Sequence, residues 1–116
     1  MYRGEIWLIN LDPTIGAEIK KTRPVVIVSS NVVGVLPLRV IVPLTDWKER
    51  YAQAAWMVQV PALKENGLSK ISAADTFQIR SVSTARFVHK IGNISQNEMD
   101  AIVEAIGLVI EYPVVN

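Results

Sequence analysis

The sequence predicts a mainly β domain, a small and strongly curved β-barrel closed by one C-terminal helix. Short runs rich in valine and isoleucine recur with turn residues between them up to about position 90, the pattern of an all-β domain. After Ser95 the apolar spacing changes to that of a helix. No repeat, linker or low-complexity tract breaks the 116 residues, so one domain over 1–116 is expected, long enough to bury a core.

The first strand, 3–9, carries Glu5-Ile6-Trp7-Leu8-Ile9, with Trp7 reading as core. The loop from Asn10 to Thr22 follows, with Asp12-Pro13-Thr14, Gly16 and Glu18. It is longer than a hairpin needs, and long loops on compact barrels usually carry function. It delivers Lys20 and Lys21 next to Arg23, at the mouth of the strand 24–30. That strand is so apolar (Val25-Val26-Ile27-Val28) that it must be buried. Packing does not call for three cations at its start, whereas a site that grips an anion does. Pro24 fixes the backbone and disfavours a helical Arg23, so the guanidinium leaves an extended chain in a set direction.

The strand 38–45 pairs with 24–30 through the Asn31–Pro37 loop. A strand at 54–60 ends at Pro61, with Trp56 reading as core, and Glu65-Asn66-Gly67-Leu68 is a turn signal. Strands at 72–79 and 86–91 complete the sheet, with one helical turn over Ser83–Arg86. Ser95 and Glu98 have capping-box spacing. Met99, Ile102, Val103, Ile106, Val109 and Ile110 then mark one helical face, with the acidic residues outward.

Composition narrows the chemistry. Half the residues are apolar and a fifth charged, as in a globular chain. Without cysteine there is no disulfide, thiolate nucleophile or cysteine metal site, and with His89 alone there is no histidine pair or cluster. His89 is read as a packed or surface residue. No signal peptide is recognisable, and Ile6-Trp7-Leu8-Ile9 is too short to span a bilayer, so the expected compartment is the cytoplasm, with no membrane partner. Residues 1–90 hold all 12 Lys and Arg against seven acidic residues, a net +5, while 91–116 hold four acidic residues and no Lys or Arg, a net −4. A basic body with an acidic tail suits an anionic partner on one face.

In order, the segments Arg3-Gly4-Glu5-Ile6-Trp7, Asp12-Pro13-Thr14-x-Gly16-x-Glu18, Thr22-Arg23-Pro24-Val25-Val26-Ile27-Val28-Ser29, Val42-Pro43-Leu44-Thr45 and Gln78-Ile79-Arg80-Ser81-Val82 resemble the MazF/PemK-type toxins. These are the ribosome-independent endoribonuclease half of bacterial toxin–antitoxin pairs. The resemblance covers about 3–110. It implies a homodimer of SH3-like barrels binding single-stranded RNA in a groove at the dimer interface. It also implies cleavage without metal or cofactor to 2′,3′-cyclic phosphate and 5′-hydroxyl ends, and DNA binding together with the antitoxin. By position, Arg23 and Thr45 match the family's catalytic pair, Glu18 its loop carboxylate, and Gln78 and Arg80 its Gln-x-Arg segment near the active-site floor, which implies that these two contact the RNA. The chain departs from the family's Kid-like branch, whose Arg-x-Asp pair reads Asp75 and Phe77 here and whose loop histidine is absent. Only the Arg/Thr version of the mechanism carries over.

The chemistry fits these side chains. The RNA's own 2′-hydroxyl attacks phosphorus, so the protein must align the reacting oxygens, stabilise charge on the non-bridging oxygens and move two protons. Arg23 suits a two-pronged phosphate clamp and a proton donor to the 5′-oxygen. Thr45 can donate one more hydrogen bond, and Glu18 or a backbone-bound water would take the 2′ proton. Lys20 and Lys21 would attract the RNA backbone. Trp47, followed by Lys48 and Arg50, would stack on an unpaired base or pack in a dimer. Plainer readings stand beside these: Arg23 as a strand-end charge, Glu18 as a solvated loop charge, Arg80 as an ion-pair partner of Asp75 or Asp46.

Two rival functions share the barrel. A gyrase poison of the CcdB kind acts through a tail ending in Trp-Gly-Ile, whereas this chain ends Glu111-Tyr112-Pro113-Val114-Val115-Asn116 and keeps Arg23 and Thr45. A non-catalytic SH3-like binding module fits the composition, and the main evidence against it is the family resemblance. A toxin that cuts cellular RNA needs a neutralising partner, so an antitoxin is expected, with an acidic segment that folds into the basic groove.

Overall fold

A computed structural model describes residues 1–112. The terminal Pro113–Asn116 stretch, part of the tail compared with Trp-Gly-Ile, lies outside the described residues. Among these residues seven strands and one α-helix follow in order: β1 (Glu5–Asn10), β2 (Thr22–Ile27), β3 (Leu38–Asp46), β4 (Met57–Val60), β5 (Ser72–Asp75), β6 (Arg80–Ser83), β7 (Phe87–Asn93) and α1 (Gln96–Ile110). The strands form one antiparallel sheet in the order β4-β5-β3-β2-β1-β7, with β6 also on β3. The expected pairing of the second and third strands holds, in the register Val25–Pro43, Val26–Val42, Ile27–Ile41.

The unbroken apolar run of β2 has a simple cause: the sheet is covered on both faces. Val26 points into a cluster with Ile6, Val42, Leu44, Met99 and Ile102, under the helix. Val25 and Ile27 point the other way, into a cluster with Ile9, Leu11, Ile41 and Val82.

Four sequence expectations need correction. The strand read over 72–79 stops at Asp75. Thr76–Gln78 forms a 3-10 turn, capped by the Asp75 carboxylate, which accepts from Phe77 N at 3.2 Å. Pairing to β3 resumes at β6 with its register moved three residues, so the turn absorbs three residues that a continuous strand cannot place. The strand read from 54 starts at Met57, because Ala54 still closes a 3-10 turn, its N–H donating to Tyr51 O. Trp56 is therefore 41% exposed, edge-on to the exposed Phe77, and not core. On α1 the buried residues are Met99, Ile102, Ala105 and Gly107, whereas Val103 and Ile110 are exposed. With Ile102 at the centre of the stripe, those two lie roughly 100° and 80° round the axis, on its flank. The predicted capping box is present: Ser95 and Glu98 exchange hydrogen bonds with each other's backbone. The helical turn near 83–86 is also present, as Thr84–Arg86 capped by Ser83.

Candidate active site

The site forms where β2 and β3 part. Their ladder ends at Val25–Pro43. Beyond it, Pro24, Arg23 and Thr22 stay paired with β1 at Leu8, Ile9 and Asn10. Leu44, Thr45 and Asp46 turn instead to β5 at Ala74, Ala73 and Ser72. Pro24 has no N–H to offer β3, so nothing from its backbone nitrogen closes the gap. A cleft of about 270 Å³ opens there, lined by Arg23, Pro24, Leu44, Thr45 and Asp46 on the strands, and by Gly67, Leu68, Ser69, Lys70, Ser72 and Ile91 facing them.

The facing wall is shaped by Asn66, a fully buried polar residue. Its Oδ1 accepts from Leu63 N and Leu68 N, each at 3.0 Å, and its Nδ2 donates to Pro61 O at 2.7 Å. Gly67 must be glycine: its φ is +71°, and a Cβ there would meet Ile91 O at 2.0 Å.

Arg23 and Thr45 are both half-buried and reach the same cleft. Arg23 Nε donates to Lys20 O at 3.0 Å, and no protein partner among the described residues holds its Nη atoms. Its outer edge thus offers two donors in the fork that matches phosphate oxygens. Lys70, at the same cleft, pairs with Asp46 at 3.8 Å. Both side chains are mostly exposed, so the pair contributes little, and an entering phosphate can compete for the ammonium.

The other sequence-predicted residues do not line this cleft. Glu18 is exposed, and its carboxylate accepts from Ile15 N within its own loop. Lys20 and Lys21 are exposed beside the cleft, Lys21 in the left-handed region with φ 72°. Gln78 bonds to the backbone of the 10–22 loop, through Ala17 and Ile19. Arg80 sits on β6 opposite Ile41, and no ion pair joins it to Asp75 or Asp46 among the described residues. Trp47 packs edge-on to Tyr51 at 5.9 Å, with the Arg50 guanidinium 5.4 Å from the Tyr51 ring and Lys48 exposed beside them. Sequence reasoning missed Lys70 and Asp46 as cleft residues. The Asn66-Gly67 turn was visible in the sequence, but not that it folds back as the cleft wall. Among the described residues no group of three His, Cys, Asp or Glu is placed to hold a metal, and no helix is long and apolar enough to cross a membrane.

The toxin family described as PemK-like, MazF-like toxin of type II toxin-antitoxin system has a model that matches residues 2–110. The chain belongs to that family. It is 32% identical over 114 residues to endoribonuclease MazF9 of Mycobacterium tuberculosis, covering 93% of this chain and 94% of that protein. The solved Mycobacterium tuberculosis toxin MazF-mt6 superposes with a TM-score of 0.74 at 26% identity, covering 92% of this chain and 96% of the other. A mycobacterial endoribonuclease in complex with its cognate antitoxin shares the fold, with a TM-score of 0.76 at 17% identity and 97% of each chain covered.

Proposed function

We propose that this protein is an endoribonuclease toxin that cuts single-stranded RNA at particular sequences, messenger RNA first among its substrates, by attack of the substrate's own 2′-hydroxyl. The observation that carries this reading is the convergence of Arg23 and Thr45 on one cleft of about 270 Å³, roomy enough to admit a phosphodiester. Arg23 holds the scissile phosphate through its Nη edge and gives a proton to the 5′-oxygen as it leaves, regaining one from solvent. The Thr45 hydroxyl donates to a non-bridging oxygen, where charge builds in the transition state. The 2′ proton goes to a water or to Glu18, which must first release Ile15 N–H and turn toward the cleft. No metal or cofactor enters these steps. Lys20, Lys21 and Lys70 draw the backbone in, and the Trp47–Lys48–Arg50 corner receives a flanking nucleotide.

The working form is a homodimer with the RNA groove at its interface, acting on cellular RNA in the cytoplasm. Its inhibitor is a cognate antitoxin whose acidic segment occupies the same groove. The net +5 of residues 1–90 and the antitoxin complex of a fold relative support that partner, as does the family's type II class. The toxin–antitoxin complex would bind DNA. Incubation with mixed single-stranded RNA in EDTA tests the reading. Cleavage to 2′,3′-cyclic phosphate and 5′-hydroxyl ends is expected, and it should disappear with Arg23→Ala or with a 2′-deoxy nucleotide at the cut. Absence of any cleavage by the wild type would refute it.

A further inference from the structure

The loop between β1 and β2 carries no regular secondary structure, yet distant side chains tie it down. Arg86 Nη1 donates to Asn10 O at 3.1 Å and Asp12 O at 2.6 Å, and Asp12 Oδ1 accepts from Lys21 N at 3.0 Å. Those bonds hold the loop's two ends. Among the described residues, one distant side chain hydrogen-bonds to its middle. Gln78 Oε1 accepts from Ile19 N and Gln78 Nε2 donates to Ala17 O, both at 3.0 Å and across about sixty positions of sequence. The partners fix which end of the carboxamide is oxygen, since a flipped amide would set donor against donor. Ile19 also packs on the second core cluster.

One residue beyond Ile19, the Lys20 carbonyl accepts Arg23 Nε. The contacts therefore form a short relay: the 3-10 turn carries Gln78, Gln78 places Ala17 and Ile19, and Lys20 O then sets the rotation of the guanidinium. Lys21 in the left-handed region is consistent with a segment held from both sides, because a non-glycine residue stays there only when its surroundings require it.

We propose that Gln78 is a positioning residue for the cleavage reaction, clasping the loop so that the Lys20 carbonyl aims the Nη edge of Arg23 into the cleft. This rests on the endoribonuclease reading. It gives Gln78 a different role from the direct RNA contact that the family resemblance implies, because both polar ends of its carboxamide are already engaged. A direct RNA contact would have to break the clasp.

The test uses the full chain as Gln78→Ala and Gln78→Glu, with three readouts. These are the single-turnover cleavage rate at saturating RNA, affinity for an RNA blocked by a 2′-O-methyl group at the cut, and amide exchange at Ile19. For Gln78→Ala the rate should fall roughly ten- to a hundredfold, the cost of a reacting group set about an ångström off. Affinity for the blocked RNA should stay within about twofold, the sign of a loss felt only in the transition state. Ile19 should exchange about tenfold faster while Val42 in the core is unchanged. In Gln78→Glu a carboxylate keeps the acceptor for Ile19 N–H and loses the donor to Ala17 O. That variant should therefore keep Ile19 protected and lose rate several-fold, and it carries the test where the alanine variant does not fold. A wild-type rate in either variant would overturn the proposal. So would weakened affinity with an unchanged rate, the result expected of a direct RNA contact. A wild type that cuts no RNA while Ile19 stays protected would instead remove the endoribonuclease reading, and the positioning role with it.

Discussion

Arg23 and Thr45 occupy the positions that the β2–β3 register would set face to face, two residues beyond its last pair, Val25–Pro43. They never pair, because Arg23 stays with β1 and Thr45 turns to β5. A failed rung between two core strands thus leaves a cation and a hydroxyl on the rim of one cleft. Rigid strands hold both groups, which is where precise chemistry is best supported.

Thr45→Val keeps the volume and removes the donor. Its cleavage rate should drop by about a hundredfold, the cost of losing one oxyanion donor, and its melting temperature should hold. Single-turnover kinetics beside a thermal melt check both halves. A full rate would remove Thr45 from the chemistry.

Asn66→Ala should be among the most destabilising single changes in the chain. It strands two N–H groups and one carbonyl at a buried position, a cost of about 2–4 kcal/mol. Urea unfolding measures it. Any protein that still folds should show weaker RNA binding, because the same loop forms the cleft wall.

Glu5 gives the fold an acid limit. Burial pushes its carboxyl up, but hydrogen bonds from Trp7 Nε1 and Tyr2 N, the nearby Lys90 ammonium and the N-terminal charge outweigh this, bringing the pKa from 4.5 down to about 2. A depressed carboxylate stabilises the fold above its unfolded pKa, and that stabilisation is lost as pH falls through the folded value. Stability should therefore decline between pH 4.5 and 2. Glu5→Gln should be less stable at pH 7 and decline less steeply over that window. Equal slopes in acid denaturation would contradict this role.

Asp75 behaves oppositely. Burial pushes its carboxyl up, and the backbone N–H groups of Phe77 and Gln78 only partly offset that. A raised carboxylate favours the fold while protonated, and its contribution is lost as pH rises through the folded value. Asn at this position keeps an acceptor for Phe77 N–H without an ionisation cost. Asp75→Asn should raise the melting temperature at pH 7, with the gain vanishing in acid. A lower melting temperature at pH 7 would show that the charge itself is needed to cap the turn carrying Gln78.

The legible and illegible parts of the chain divide on physical lines. Val25-Val26-Ile27-Val28 reads as a buried strand because side-chain polarity reports burial directly, and the first three of these are fully buried. Ser95 and Glu98 announced the helix start because a capping box is local. Arg23 and Thr45 were legible as a pair only through the ordered motifs, since no spacing rule makes residues 22 apart share a cleft. The three-residue register shift at Thr76–Gln78 could not be read, because strand propensity is nearly unchanged across it. The cleft position of Lys70 and the loop clasp of Gln78 stayed hidden for a related reason. They come from where the 61–71 loop and the 3-10 turn return in space, not from their neighbours in sequence.

The most direct test of the Arg/Thr site is single-turnover cleavage of a mapped single-stranded RNA, in EDTA, by Arg23→Lys beside the wild type. Lysine keeps the charge but not the fork that presents two donors to one phosphate. A fall of about a hundredfold or more, with RNA affinity largely kept, is the predicted result. Cleavage at close to the wild-type rate would contradict the phosphate-clamp role of Arg23.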